Sequence, residues 1–137
     1  MQSEVIILDS NIWISYVITK QLQTLVAIIL KHKLTILTSE NLVKEIHGVL
    51  LRPKFKKYLN QSDIKEFITI HMKLCHVVRT DKTSNQLTDV KDNFLLDLYN
   101  KGKATVLVSG DKEFLREADE LNYHVITLRE FELTYST

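Results

Sequence analysis

The sequence predicts an α/β fold, a parallel sheet of about five strands with helices on both faces. Three observations predict it. Five short, mostly apolar runs are spread over the 137 residues, as strands buried on both faces would be. Longer segments with apolar residues at helical spacing lie between them. Only three Gly and one Pro occur, so no flexible linker divides the chain, and residues 1–137 are expected to form one domain. Strand alternating with helix is the pattern of parallel strands joined by helical crossovers, which are right-handed.

The expected strands are Val5–Leu8, Leu34–Leu37, His76–Val78, Thr105–Val108 and Val125–Thr127, with His76–Val78 the weakest and suited to an edge. The first helix, Asn11–Ile18, follows Asp9 and Ser10, both good caps. Leu22–His32 carries Leu22, Leu25, Val26, Ile29 and Leu30 on one stripe. Ser39–Leu51, capped by Thr38 or Ser39, does the same with Leu42, Ile46, Val49 and Leu50. Lys54–Leu59 reads as a short basic helix or turn, and Asp63–Leu74 places Ile64, Phe67, Ile68 and His71 on one face. The polar stretch Thr80–Thr88 reads as an exposed loop. Asp92–Lys101 carries Phe94, Leu95 and Leu98, with Gly102 as its stop. Lys112–Glu120 follows Asp111, and a last short helix starts near Arg129–Phe131.

A net charge of +1 gives no overall basic field, so any nucleic-acid contact must come from a local basic face. One cysteine, Cys75, excludes an internal disulfide, fits a reducing compartment and suits a small buried position. The N-terminus runs directly into Val5-Ile6-Ile7-Leu8-Asp9 without the basic and long apolar regions of a signal peptide. No apolar run approaches the roughly 20 residues of a membrane span. A cytoplasmic protein without membrane contact is expected.

Four acidic residues stand at separate points where ligands for Mg²⁺ or Mn²⁺ would be useful: Asp9, Glu45, Asp92 and Asp111. Asp9 and Asp111 directly follow strands, and open parallel sheets bind ligands beyond the carboxyl ends of their strands. Each acid also has an ordinary explanation. Asp9 and Asp111 suit helix caps, Asp92 suits a first helical turn, and Glu45 suits a solvated helix face bordering Leu42 and Ile46. Asn11 is placed to hold the Asp9 carboxylate. Gly110 allows a tight turn and close backbone approach. Asp89 competes with Asp92 as a cap. Asp97, inside an apolar helix, must be paired, solvated or functional. Two like charges ~4 Å apart repel by about 4 kcal/mol at an effective dielectric of 20. Gathered carboxylates therefore need protons or a cation, and hard oxygen donors suit Mg²⁺ or Mn²⁺. The expected reaction is in-line attack of water on a phosphodiester, with no His, Cys or Lys nucleophile.

The dense basic cluster Arg52-Pro53-Lys54-Phe55-Lys56-Lys57-Tyr58 combines cations with two aromatics, which suits RNA phosphates and a stacked base. It equally suits a solvated face. Lys112 stands beside Asp111 and joins Arg52, Lys54, Lys56 and Lys57 as an RNA-contact candidate. The histidines, His32, His47, His71, His76 and His124, lack zinc spacing. There is no GxGxxG, Walker loop or Gly-x-Ser-x-Gly elbow. A phosphatase using Asp9 as nucleophile would want a second acid two residues on, where Asn11 stands.

The segments Ile7-Leu8-Asp9-Ser10-Asn11-Ile12-Trp13, Leu42-Val43-Lys44-Glu45-Ile46, Asp89-Val90-Lys91-Asp92-Asn93-Phe94-Leu95-Leu96-Asp97-Leu98 and Leu107-Val108-Ser109-Gly110-Asp111-Lys112-Glu113-Phe114-Leu115 together resemble the PIN-domain family. The likeness extends to its small bacterial branch of VapC-like toxins from toxin–antitoxin systems. It implies a three-layer α/β/α sandwich and a Mg²⁺- or Mn²⁺-dependent ribonuclease acting on single-stranded RNA. Its acids map onto Asp9, Glu45, Asp92 and Asp111, with Asn11 and Ser109 in support. It also implies a homodimer and a cognate antitoxin partner. The alternatives are an RNA-processing or RNA-binding PIN domain without a toxin role, and a catalytically silent α/β binding module.

Overall fold

The computed structural model describes residues 4–81, 85–89 and 92–136. Among these the chain runs β1 (Val5–Leu8), α1 (Ser10–Ile18), α2 (Leu22–Lys31), β2 (Thr35–Thr38), α3 (Glu40–Leu50), a 3₁₀ turn (Pro53–Phe55), α4 (Gln61–Leu74) and β3 (His76–Val77). It continues with α5 (Asn93–Gly102), β4 (Val106–Val108), α6 (Lys112–Glu120), β5 (Val125–Ile126) and α7 (Leu128–Thr134). The strands form one parallel sheet in the order β3-β2-β1-β4-β5. The fold is the α/β class that the alternation predicts.

From β1 the chain steps outward to β2 and β3, then returns past β1 to β4 and steps the other way to β5. Right-handed crossovers then put α1 to α4 on one face and α5 and α6 on the other. Contacts of α1 with α2 and α3, and of α3 with α4, agree. The direction of winding reverses between β1 and β4. A crevice opens at such a switch point, outside the carboxyl ends of the two strands. Ile6, Ile7, Leu8, Val106, Leu107 and Val108 are buried on both sides of it, so the strand ends are held by a close-packed core.

Several element ends differ from the sequence reading, each for a local reason. α4 starts at Gln61 because Asn60 and Asp63 form a capping box, with Asn60 Oδ1 accepting from Asp63 N at 2.8 Å and Asp63 Oδ2 accepting from Asn60 N at 3.0 Å. Thr127 leaves β5 to form the same box with Glu130, so α7 runs Leu128–Thr134. The basic segment makes only a 3₁₀ turn at Pro53–Phe55. β3 shrinks to two exposed residues at the sheet edge. Part of the expected loop Thr80–Thr88, namely 82–84, lies outside the described residues. Gly102 is not the left-handed stop of α5; Lys103 takes that conformation at φ 55°. Gly102 instead makes room for β2, since a Cβ there would lie 2.3 Å from Leu37 Cδ1.

Trp13 is fully buried, as its position suggests, with its ring against Phe67 and His71. Cys75 is buried too, and burial pushes its thiol up to about 12, which makes it unreactive. No helix among the described residues is long and apolar enough to cross a membrane.

Candidate active site

Asp9 leaves β1 at the switch point. Its backbone N–H donates to Val108 O at 2.9 Å, which continues the β1–β4 ladder and fixes the carboxylate beside the end of β4. The side chain is only 6% exposed. Oδ1 accepts from Ser10 N at 2.7 Å, the N-cap bond of α1. Oδ2 accepts from the Ser109 hydroxyl at 2.8 Å and from Asn11 Nδ2 at 3.5 Å. Asp9 is thus both a helix cap and a buried carboxylate at the switch point.

The β4 side is wired to it. Ser109 is fully buried, and its Oγ also accepts from Asp111 N at 3.1 Å. Asn11 Oδ1 accepts from Gly110 N at 3.2 Å. Gly110 therefore serves through its N–H. It has no positive φ, and a Cβ would sit 3.6 Å from Asn11 Oδ1, an ordinary contact. Asp111 caps α6, with Oδ1 accepting from Glu113 N and Phe114 N at 3.1 and 3.2 Å.

Asp92 occupies the N-cap position of α5 and makes no side-chain cap bond. Its backbone N–H donates to Asp89 O at 3.0 Å. Its carboxyl is pushed up to about 7, first by burial and then by the charges of Asp89, Asp9, Glu45 and Asp111. Burial also raises Asp9, against the lowering hydrogen bonds from Ser109 and Ser10, and the charges of Glu45 and Asp111 raise it further. Glu45 is half-buried on α3. Glu45 and Asp111, distant in sequence, are therefore each within electrostatic reach of both Asp9 and Asp92.

Their oxygen-only donor set has the chemistry of a hard divalent cation site. Electrostatic reach exceeds direct ligation, however. Among the described residues, no three His, Cys, Asp or Glu side chains are gathered closely enough to hold one ion.

The other candidates fall in different places. Asp97 is buried on α5. Asn93, to which the sequence assigns no role, is buried at the start of that helix and accepts from Leu87 N at 3.1 Å. It pins the stretch leading to Asp89, a role no periodicity displays. Arg52, Lys54, Lys56 and Lys57 are all exposed around the 3₁₀ turn after α3. Lys54 Nζ lies 5.1 Å from the Phe55 ring centroid and Lys57 Nζ 5.1 Å from that of Tyr58. Tyr58 is exposed and Phe55 partly so, so neither ring is a core residue. Lys112, also exposed, opens α6 directly after Asp111.

The chain is similar to an uncharacterized protein of Methanocaldococcus jannaschii, with 27% identity over 121 residues that cover 86% of this chain and 77% of that one. The profile of the PIN domain family matches residues 5–113. That match spans β1 to the start of α6 and includes Asp9, Glu45, Asp92 and Asp111, and with this fold it shows that the chain belongs to the PIN domain family.

Proposed function

We propose that this chain is a metal-dependent endoribonuclease that hydrolyses phosphodiester bonds of single-stranded RNA. PIN domains are typically nucleases, generally use divalent metal ions and bind RNA. The observation that carries the reading here is Asp92, whose carboxyl feels Asp89, Asp9, Glu45 and Asp111 together. Such crowding is relieved by a cation. To hold it, Asp9, Glu45, Asp92 and Asp111 would have to close in on the ion, with Asp89 and Asp97 in support. When bound, Mg²⁺ or Mn²⁺ supplies Lewis acidity toward the phosphate and a lowered pKa for water.

The chain's own residues orient this set. Ser109 and Ser10 hold the two oxygens of Asp9 in fixed directions, and Asn11 ties the β1 and β4 turns together. Arg52, Lys54, Lys56, Lys57 and Lys112 offer cations to the RNA backbone. A silent binding module with acids kept only as caps accounts for Asp9 and Asp111. It does not account for Asp92, which makes no cap bond.

The finer reading follows the family likeness: one domain over 1–137, a homodimer in the cytoplasm, and the toxin of a type II toxin–antitoxin pair held by a cognate antitoxin. The direct test incubates purified protein with single-stranded RNA and with a duplex of the same sequence, in Mn²⁺, Mg²⁺ or chelator. Cleavage of the single strand that chelator abolishes supports the reading. Equal stability of both RNAs in every condition rejects it.

A further inference from the structure

We propose that His71 is a positioning residue for the carboxylate site, bracing the helix that carries Asp9 against the strand that leads into the Glu45 helix. Three contacts make the brace. His71 lies on α4 and is fully buried. Its Nε2 is 2.8 Å from Thr38 Oγ1. Thr38 ends β2, and the next residue, Ser39, caps α3 by accepting from Leu42 N at 3.3 Å. Glu45 stands on that helix. On the other side the imidazole meets Trp13 edge to face, with ring centroids 4.4 Å apart. Trp13 is about one turn into α1, whose cap is Asp9. Phe67 closes the cluster, 5.7 Å from His71 and 6.0 Å from Trp13.

Ring packing against Trp13 and Phe67 is not the whole of this arrangement. His71 Nδ1 and Trp13 Nε1 are buried without a protein partner among the described residues, and an unpaired buried polar group costs the fold its full desolvation penalty. An apolar pair in place of His71 and Thr38 would avoid the cost. What the imidazole adds is direction. Its one hydrogen bond fixes where β2 hands over to α3, while its ring fixes the first turns of α1. The indole N–H can only donate. The tautomer with Nε2–H donating to Thr38 Oγ1 leaves Nδ1 a bare acceptor, and neither it nor the Trp13 N–H has a partner among the described residues.

The inference rests on the nuclease reading for its activity arm, so a second arm does not need activity. His71→Phe keeps an aromatic ring, a larger one, but loses the Thr38 bond. His71→Gln restores a side-chain donor, and Thr38→Val removes the bond from the other end. In the metal-free full chain, ¹³C carboxyl resonances of Asp9 and Glu45 are recorded at pH 7 alongside thermal melts. In Mn²⁺, cleavage of single-stranded RNA gives kcat and KM.

His71→Phe is expected to stay folded, to move both carboxyl resonances, and to lower kcat by about tenfold or more with KM nearly unchanged. His71→Gln should recover most of the loss, and Thr38→Val should reproduce it. The double variant His71→Phe with Thr38→Val should be no worse than either single one, because both remove the same contact. A folded His71→Phe with unmoved resonances and wild-type kcat overturns the proposal, as does a Gln variant that recovers nothing. If His71→Phe does not fold, Thr38→Val decides by the same two readouts. If the wild type cleaves no RNA, the nuclease reading fails, and the resonances alone decide whether His71 positions the acids.

Discussion

The Ser109 hydroxyl donates to Asp9 Oδ2 at 2.8 Å and accepts from Asp111 N at 3.1 Å. One buried side chain thus ties the acid that ends β1 to the acid that follows β4. The bond also lowers the Asp9 carboxyl against the raising effect of burial. Ser109→Ala is expected to leave the fold intact and raise the Asp9 pKa. Cleavage should slow by about 10–100-fold, the usual cost of losing a partner behind a metal-site ligand. A carboxyl titration together with single-turnover kinetics checks it; an unaltered Asp9 titration would show that Ser109 does not tune this group.

Asp92 yields a pH prediction of definite sign. The native carboxyl titrates at about 7, against 3.8 for an ordinary aspartate. Between those pH values the native state holds more protons than the unfolded chain, so stability of the metal-free protein falls as pH rises through that window. The penalty is complete above it. Asp92→Asn should therefore melt higher than wild type at pH 8, with the gap closing toward pH 4. After discounting for solvent screening, an effect of order 1 kcal/mol moves Tm by about 3–6 °C. Thermal melts at the two pH values check this. A gap that widens in acid would reverse the assignment.

Removing the crowding with a cation should act in the same direction. Mn²⁺ at about 100 times its Kd stabilises by about 2.7 kcal/mol, or roughly 8–16 °C in Tm. Asp111→Asn and Glu45→Gln should each shrink that gain. A gain identical in wild type and in Asp111→Asn would remove Asp111 from the binding set.

The 3₁₀ turn gives a salt-dependence prediction. Arg52→Ala, Lys54→Ala and Lys57→Ala should weaken single-stranded RNA binding without changing the single-turnover rate at saturation. Taking away one cation that neutralises a phosphate should flatten the slope of log K against log salt by about 0.7. Filter binding at several ionic strengths measures it. Slopes that stay at the wild-type value would make the cluster a solvated face.

Much of this is legible in the residues because it is local. A short apolar run followed by Asp and a helix reads directly, so Asp9 and Asp111 can be placed at strand ends without coordinates. Glu45 cannot be placed that way, since its direction depends on how α3 packs against α1. The role of His71 stays hidden because an apolar stripe counts a buried histidine as one more core residue. Its partner Thr38 looks like a helix cap. Asn93 escapes notice because its work is a bond to a loop backbone, which has no period. The capping boxes at Asn60 and Thr127 are visible as patterns, yet the apolar residues nearby draw the boundaries elsewhere.

The proposed activity requires joint action of Asp9, Glu45, Asp92 and Asp111 as one site. It is tested most directly by single-turnover cleavage of single-stranded RNA in Mn²⁺ by the four variants Asp9→Asn, Glu45→Gln, Asp92→Asn and Asp111→Asn. Each should fall by about 100-fold or more while remaining folded, with double variants little worse than single ones, as for residues acting as a unit. A folded Asp9→Asn that cleaves as fast as wild type would contradict the account.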